Sequence, residues 1–479
     1  MKKTIVLLCL VALPLLMQAK ITLPSILSDN MILQQQSNVT IWGKASINKK
    51  VKVFPSWTKE TYSTKSDSVG RWSVNIPTPV AGESYNIKIT DGDELILENV
   101  LIGEVWFCSG QSNMELPMKG FEFEPVSGVN DVIASAKEST PIRIYTTDYD
   151  EKGWFRQYNK KPQEDCKGQW LLNTPKNVAS VSATAYYFAK YLQKTLNIPI
   201  GVVVSSWGGS TVESWLSEEV AKSFNLNLSN LYDDKEVPKP IQHQPCVLFN
   251  SKVEPLTNYK IKGMLWYQGE DNRHNPEDYS KMLPAMVKDY RSRWKTNFSF
   301  YYVEIAPFAY DNADGLSAAY FREMQQKLMK VIPNSGMVST IDIGSCDFIH
   351  PTDKADVGKR LAYWALSKDY GISNIGYRTL LYKSVEIKDS KAYIEFENIN
   401  GKVYAYPINH SLESFEIAGE DKVFCPAEAI VDLKNKQLTV WSDKVLQPVA
   451  VRYAFHNYAK ASLFDRYGLP VAPFRTDNW

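Results

Sequence analysis

Scarcity of cysteine, histidine and net charge narrows what this chain can be before any motif is read. Its 479 residues hold 54 Lys plus Arg against 53 Asp plus Glu, so no field exists to draw in nucleic acid or an acidic membrane face. Neither of those partners is expected. Six cysteines include Cys9 near the start; the other five, Cys108, Cys166, Cys246, Cys346 and Cys425, are odd in number and contain no Cys-x-x-Cys. No disulfide framework is legible, and at least one thiol stays free unless chains cross-link. The five histidines, His243, His274, His350, His410 and His456, show no His-x-x-x-His spacing, so neither a metal nor another cofactor is called for. Beyond the first twenty residues no apolar stretch approaches the roughly 18 residues of a membrane helix, and no internal repeat or low-complexity linker is present.

The N-terminus reads as a leader. Lys2 and Lys3 precede an apolar run from Ile5 to Met17, interrupted by Pro14, and Gln18-Ala19 is the expected cleavage point. Export is expected, to the periplasm or the exterior, with residues 1–19 removed. What remains is long enough, at roughly one domain per 150 residues, for about three domains. Aromatics form 12% of the chain, including 13 Trp and 27 Tyr, side chains whose flat apolar faces and polar tips suit sugar rings.

From Ile21 to about Leu101, short alternating runs such as Val39–Gly43, Val51–Phe54, Arg71–Ile76 and Tyr85–Ile89 predict an antiparallel β-sandwich over residues 20–101. Asp91-Gly92 predicts a two-residue hairpin turn. After Gly103 the rhythm changes. Apolar runs at Val105–Cys108, Ile200–Ser205, Gly263–Tyr267, Phe300–Ile305 and Gly336–Ile341 are separated by helical patterns over Ala183–Leu196, Tyr279–Trp294 and Tyr320–Val331. This alternation predicts an α/β domain over residues 102–373, a parallel sheet covered on both faces with reactive groups at the strand C-termini. Alternating strands return from Asn374, as in Lys402–Tyr406 and Val449–Tyr453, and predict a closing β module over residues 374–479.

Candidate chemistry collects at strand ends. Ser112, in Gly110-Gln111-Ser112-Asn113-Met114, follows a buried strand and a glycine that permits a sharp turn, the place for a nucleophile. A serine needs a base and the base an orienting carboxylate; Asp347-Phe348-Ile349-His350-Pro351 can supply both, since residues three apart on a loop can lie side by side. Trp207-Gly208-Gly209 and Trp266-Tyr267-Gln268-Gly269-Glu270 end two further strands with backbone and amide donors suited to an oxyanion.

Taken in order, Gly110–Met114, Trp207-Gly208-Gly209 through Trp215, Trp266–Glu270 and Asp347-x-x-His350-Pro351 resemble the sialate O-acetylesterase family of SGNH-type hydrolases, over nearly the whole mature chain. The resemblance implies a three-layer, flavodoxin-like hydrolase domain and an O-acetylated carbohydrate as substrate. It makes Ser112 the nucleophile, His350 the base and Asp347 the orienting acid. The oxyanion donors would be the N–H of Ser112, the N–H of Gly209 and the side chain of Gln268, with Asn272 and the N–H of Gly208 as substitutes and Glu270 as a brace for the Gln268 loop. Acetylated sialic acid is the substrate the family name suggests. Acetylated xylan is the alternative, and a non-catalytic carbohydrate-binding protein is the rival from another class. The long segments Phe121–Pro175 and Asn225–Gln244 are expected to wall the pocket. Oligomeric state stays open.

Overall fold

The computed structural model describes residues 21–150, 153–233, 235–397, 403–405, 412–432 and 437–479. The leader read over residues 1–19 and His410 lie outside these, as do Lys402 and Tyr406 at the ends of one expected strand. Short strands open the chain: β1 (Ile32–Gln34), β2 (Asn38–Lys44), β3 (Lys50–Pro55), β4 (Tyr62–Lys65), β5 (Arg71–Pro77) and β6 (Ser84–Thr90). β2 pairs antiparallel with β5, and β3 with β4 and β6. Alternate residues Val39, Ile41, Val51, Val53, Ile87 and Ile89 face one shared apolar core, which is why the period of two was readable.

β7 (Glu94–Gly110) is a single 17-residue strand. Its first half pairs with β6, and its second half enters the central sheet between two parallel neighbours. The boundary expected at residue 101 therefore falls inside a continuous strand, at a change of partners. The β6–β7 turn also differs from expectation. Thr90 pairs with Glu94, leaving a three-residue loop in which Gly92 alone takes positive φ, +134°.

The central sheet adds β8 (Ile142–Thr147), a small hairpin of β9 (Tyr149–Asp150) and β10 (Gly153–Trp154) at its margin, β11 (Gly168–Leu172), β12 (Ile200–Ser206), β13 (Gly263–Tyr267), β14 (Ser299–Val303) and β15 (Ser335–Val338). The order is β11-β8-β12-β7-β13-β14-β15, parallel throughout except for β11 against β8. β12, β13 and β14 are buried at every residue, as parallel strands covered on both faces must be. Side chains of β7 alternate between two cores: Trp106 and Cys108 pack with the helix Ala183–Leu196, and Val105 and Phe107 with Tyr290 of the helix Pro276–Arg293. The sheet is the middle of three layers.

The sheet's last helix, Lys354–Lys368, lies against Ala183–Leu196, and antiparallel strands follow from Tyr382. Four of these pair around Gln437–Trp441 and four around Phe415–Ala418. Cys108, Cys166, Cys246, Cys346 and Cys425 are all free thiols. Among the described residues no helix is long and apolar enough to cross a membrane.

Candidate active site

The order β12-β7-β13 brings three strand ends together, because the chain leaves central β7 toward one edge and returns to the other side through β13. This switch point is where open parallel sheets leave a crevice. Ser112 follows β7, Gly208 follows β12 and Gln268 follows β13. Gly110 makes the exit from β7 possible: its φ is +140°, and a Cβ there would sit 2.1 Å from the Tyr267 carbonyl oxygen. Only glycine tolerates both demands. The Gln111 N–H then donates to that same carbonyl at 2.9 Å, and a single helical turn, Ser112–Glu115, presents the hydroxyl.

His350 arrives from the long connection after β15. Its Nε2 stands 2.7 Å from Ser112 Oγ, while its Nδ1 is hydrogen-bonded to the Glu124 carboxylate. The residue is buried, 9% exposed, and Phe121 packs edge-on at 5.6 Å between ring centres. Burial lowers the pKa of His350 below its usual 6.5; the hydrogen bond to Glu124 works in the opposite direction, and Lys354 adds to the lowering. Burial thus favours the neutral imidazole, while the Glu124 carboxylate on its other nitrogen favours the charged ring.

The motif expects Asp347 as the carboxylate on His350, but the structure puts Glu124 there instead. Asp347 is exposed, on a bend whose backbone N–H donates to Ser345 Oγ at 3.3 Å, and the ring turns to Glu124 instead. Glu124 is carried on a tight turn closed by paired backbone hydrogen bonds between Phe121 and Glu124, 3.1 and 3.3 Å long. No periodicity marks that turn in the sequence.

The donor set is also corrected. Gln268 Nε2 gives its hydrogens to Ser210 O at 2.9 Å and Asn272 Oδ1 at 2.7 Å, so neither is left for substrate. Asn272 in turn accepts from the Val212 N–H and donates to Glu213. Both amides brace the Ser210–Glu213 loop. Gly208 is excluded too, because its N–H is held at 2.5 Å by Glu115 Oε2. The N–H groups of Ser112 and Gly209 have no protein acceptor among the described residues. Gly208 presses against Ser112, since a Cβ there would lie 3.3 Å from Ser112 Cβ.

Glu270 braces a different loop from the one expected. Its Oε1 accepts from Asn113 Nδ2 at 2.7 Å, and that amide also donates to Ile349 O at 3.2 Å; Asn113 Oδ1 accepts from Lys354 Nζ at 2.6 Å. One buried side chain therefore ties the segment after Ser112 to the residue before His350. Burial pushes the Glu270 carboxyl up to about 7 and the Lys354 ammonium down to about 7. Of the other described histidines, His243 meets Gly209 O at 3.0 Å, His274 lies near Asp311, and His456 pairs with Glu416 at 2.8 Å.

A serine on a tight turn at the switch point of a parallel sheet, with a buried histidine 2.7 Å from its hydroxyl, is the arrangement of a class, the hydrolytic esterases, and the family comparisons place the chain in it. The family whose members are described as carbohydrate esterase, sialic acid-specific acetylesterase, matches residues 102–367, and the chain belongs to that family. Sialate O-acetylesterase of Rattus norvegicus is 27% identical over 424 residues, spanning 76% of each chain. The Homo sapiens sialate O-acetylesterase is 27% identical over 406 residues, covering 77% of this chain and 75% of its own. A carbohydrate acetylesterase from Xanthomonas citri superposes with a TM-score of 0.85 at 32% identity, over 96% of this chain and 100% of that one.

Proposed function

We propose that this esterase removes acetyl groups from carbohydrate through an acyl-enzyme on Ser112, with His350 as base and Glu124 as its orienting acid. The observation that carries the reading is the line of contacts from Ser112 Oγ, 2.7 Å from His350 Nε2, to Glu124 at the far side of the same ring. His350 takes the Ser112 proton as Oγ attacks the ester carbonyl, and the N–H groups of Ser112 and Gly209 receive the oxyanion. Collapse of the tetrahedral species expels the sugar alkoxide, which takes the proton from His350. Water, deprotonated by the same nitrogen, then attacks the acetyl carbonyl; acetate leaves and Ser112 regains its proton. General-base assistance contributes roughly two to four orders of magnitude and each oxyanion donor roughly two to three.

O-acetylated sialic acid, for which the curated relatives are named, is the first substrate to assay. Acetate release by wild type and Ser112→Ala tests the mechanism. The variant is expected to be inactive and to keep the wild-type circular dichroism spectrum; full activity in it would end the proposal.

A further inference from the structure

Beside the Gly208 loop runs an extended segment whose side chains alternate. Trp154, Arg156 and Tyr158 are exposed, with 51%, 45% and 39% of their surface open, whereas Phe155, Gln157 and Asn159 turn inward. The inward residues anchor it: the Phe155 N–H donates to Asp148 O, Gln157 exchanges two hydrogen bonds with the Lys167 backbone, and the Asn159 N–H donates to Val247 O. At strand spacing the outward face spans ~13 Å, more than one pyranose ring. Its centre is built. The Arg156 guanidinium lies over Trp207, 4.8 Å from the ring centre, with Tyr158 edge-on to that ring at 6.2 Å, and Arg156 Nη2 meets Glu115 Oε1 at 2.6 Å. Through Glu115 Oε2 the pair reaches the Gly208 N–H, so this face is joined directly to the loop that touches Ser112.

Resting on the reading of Ser112 as an acetylesterase nucleophile, we propose that Trp154, Arg156 and Tyr158 form a subsite for an uncharged glycan chain carrying the ester. The aromatic rings take sugar faces, and the Arg156–Glu115 pair reads ring hydroxyls, offering donors and an acceptor side by side. An anionic sugar fits less well. Arg156 is already paired with Glu115, and the neighbouring cation Lys252 is buried on Asp148 at 2.6 Å. A substrate carboxylate on Arg156 would meet the repulsion of Glu115, 2.6 Å from Nη2, and of Asp148, 4.0 Å from Nη1.

The test compares the full-length enzyme with Trp154→Ala, Arg156→Ala, Arg156→Lys and Tyr158→Ala on three substrates: acetylated xylo-oligosaccharide, O-acetyl sialic acid and an aryl acetate. Arg156→Ala is expected to lower kcat/KM on the oligosaccharide by about ten- to a hundredfold, the range of a charge-assisted hydrogen bond, chiefly through KM. The loss on the aryl acetate is expected to be smaller by about tenfold, because that ester does not reach the subsite. Lysine is expected not to restore binding, since it lacks the planar fork. Trp154→Ala and Tyr158→Ala, which do not touch Glu115, are expected to share the substrate-selective loss. Equal losses on all three substrates would reduce Arg156 to a brace of the Gly208 loop and overturn the proposal. A larger loss on O-acetyl sialic acid, or no loss on the oligosaccharide, would overturn it as well. Activity persisting in Ser112→Ala would instead overturn the underlying mechanism.

Discussion

Replacing Glu124 by Gln keeps the size of the side chain that holds His350 Nδ1 and removes its charge. The carboxylate has two duties in the proposed mechanism: it fixes the ring so that Nε2 faces Ser112 Oγ, and it stabilises the imidazolium. Losing one charge-assisted hydrogen bond costs about 1.5–3 kcal/mol, or roughly ten- to a hundredfold in rate. Losing the counter-charge to a buried imidazolium extends this, and triads of this kind lose up to about ten-thousandfold when the acid is neutralised. A fall in kcat of between about a hundredfold and ten-thousandfold is therefore expected for Glu124→Gln, measured by hydrolysis of an aryl acetate at neutral pH. Asp347→Asn is the matched control. Its side chain is exposed and away from His350, so it is expected to shift activity by about twofold at most, the scale of a ±0.5 kcal/mol surface change. A larger loss for Asp347→Asn than for Glu124→Gln would refute the reasoning and restore the assignment the motif suggested.

Three further outcomes follow from the same geometry. Because burial disfavours the imidazolium of His350 and only the neutral ring can accept the Ser112 proton, the acid limb of kcat/KM is expected below the ordinary 6.5; Glu124→Gln, which removes the group raising that pKa, is expected to move it lower still, and a wild-type limb at or above 6.5 would contradict this. Asn113→Ala leaves Glu270 and Lys354 buried without their shared amide, so a stability loss of about 1–3 kcal/mol by urea titration and a lowered kcat are expected, whereas unchanged values of both would show the bridge to be idle. Deleting the residues before Leu101 cuts β7 and strips the core shared by Ile41, Val53 and Ile89 with Val105 and Phe107, so a stable, active truncated enzyme is not expected in a thermal melt.

The sheet was legible because buried parallel strands leave contiguous apolar runs such as Ile200–Ser206, and the helix Ala183–Leu196 lies where its periodicity placed it. That Ser112 and His350 come together was legible because each follows such a run in a contiguous motif. What escaped was set by side-chain direction and by contacts across loops. Glu124 lies 226 residues from His350 on a turn with no repeating pattern, while Asp347 was favoured by its nearness in sequence and by the family motif. Gln268 stands at the expected strand end, yet its amide turns to Ser210 and Asn272, an orientation that residue type does not specify. Glu115, in the turn after Ser112, gave no hint that it would hold Gly208, and only the fold brings Arg156 to it.

The central claim is that Ser112 carries the acyl group, and it is tested most directly by treating the full-length enzyme with a serine-directed organophosphonate and mapping the modified peptide by mass spectrometry. One adduct per chain is expected, on the peptide containing Ser112, formed in step with loss of acetate release and absent from Ser112→Ala. Complete inactivation with Ser112 unmodified, or labelling of a different serine that tracks the loss of activity, would contradict the account.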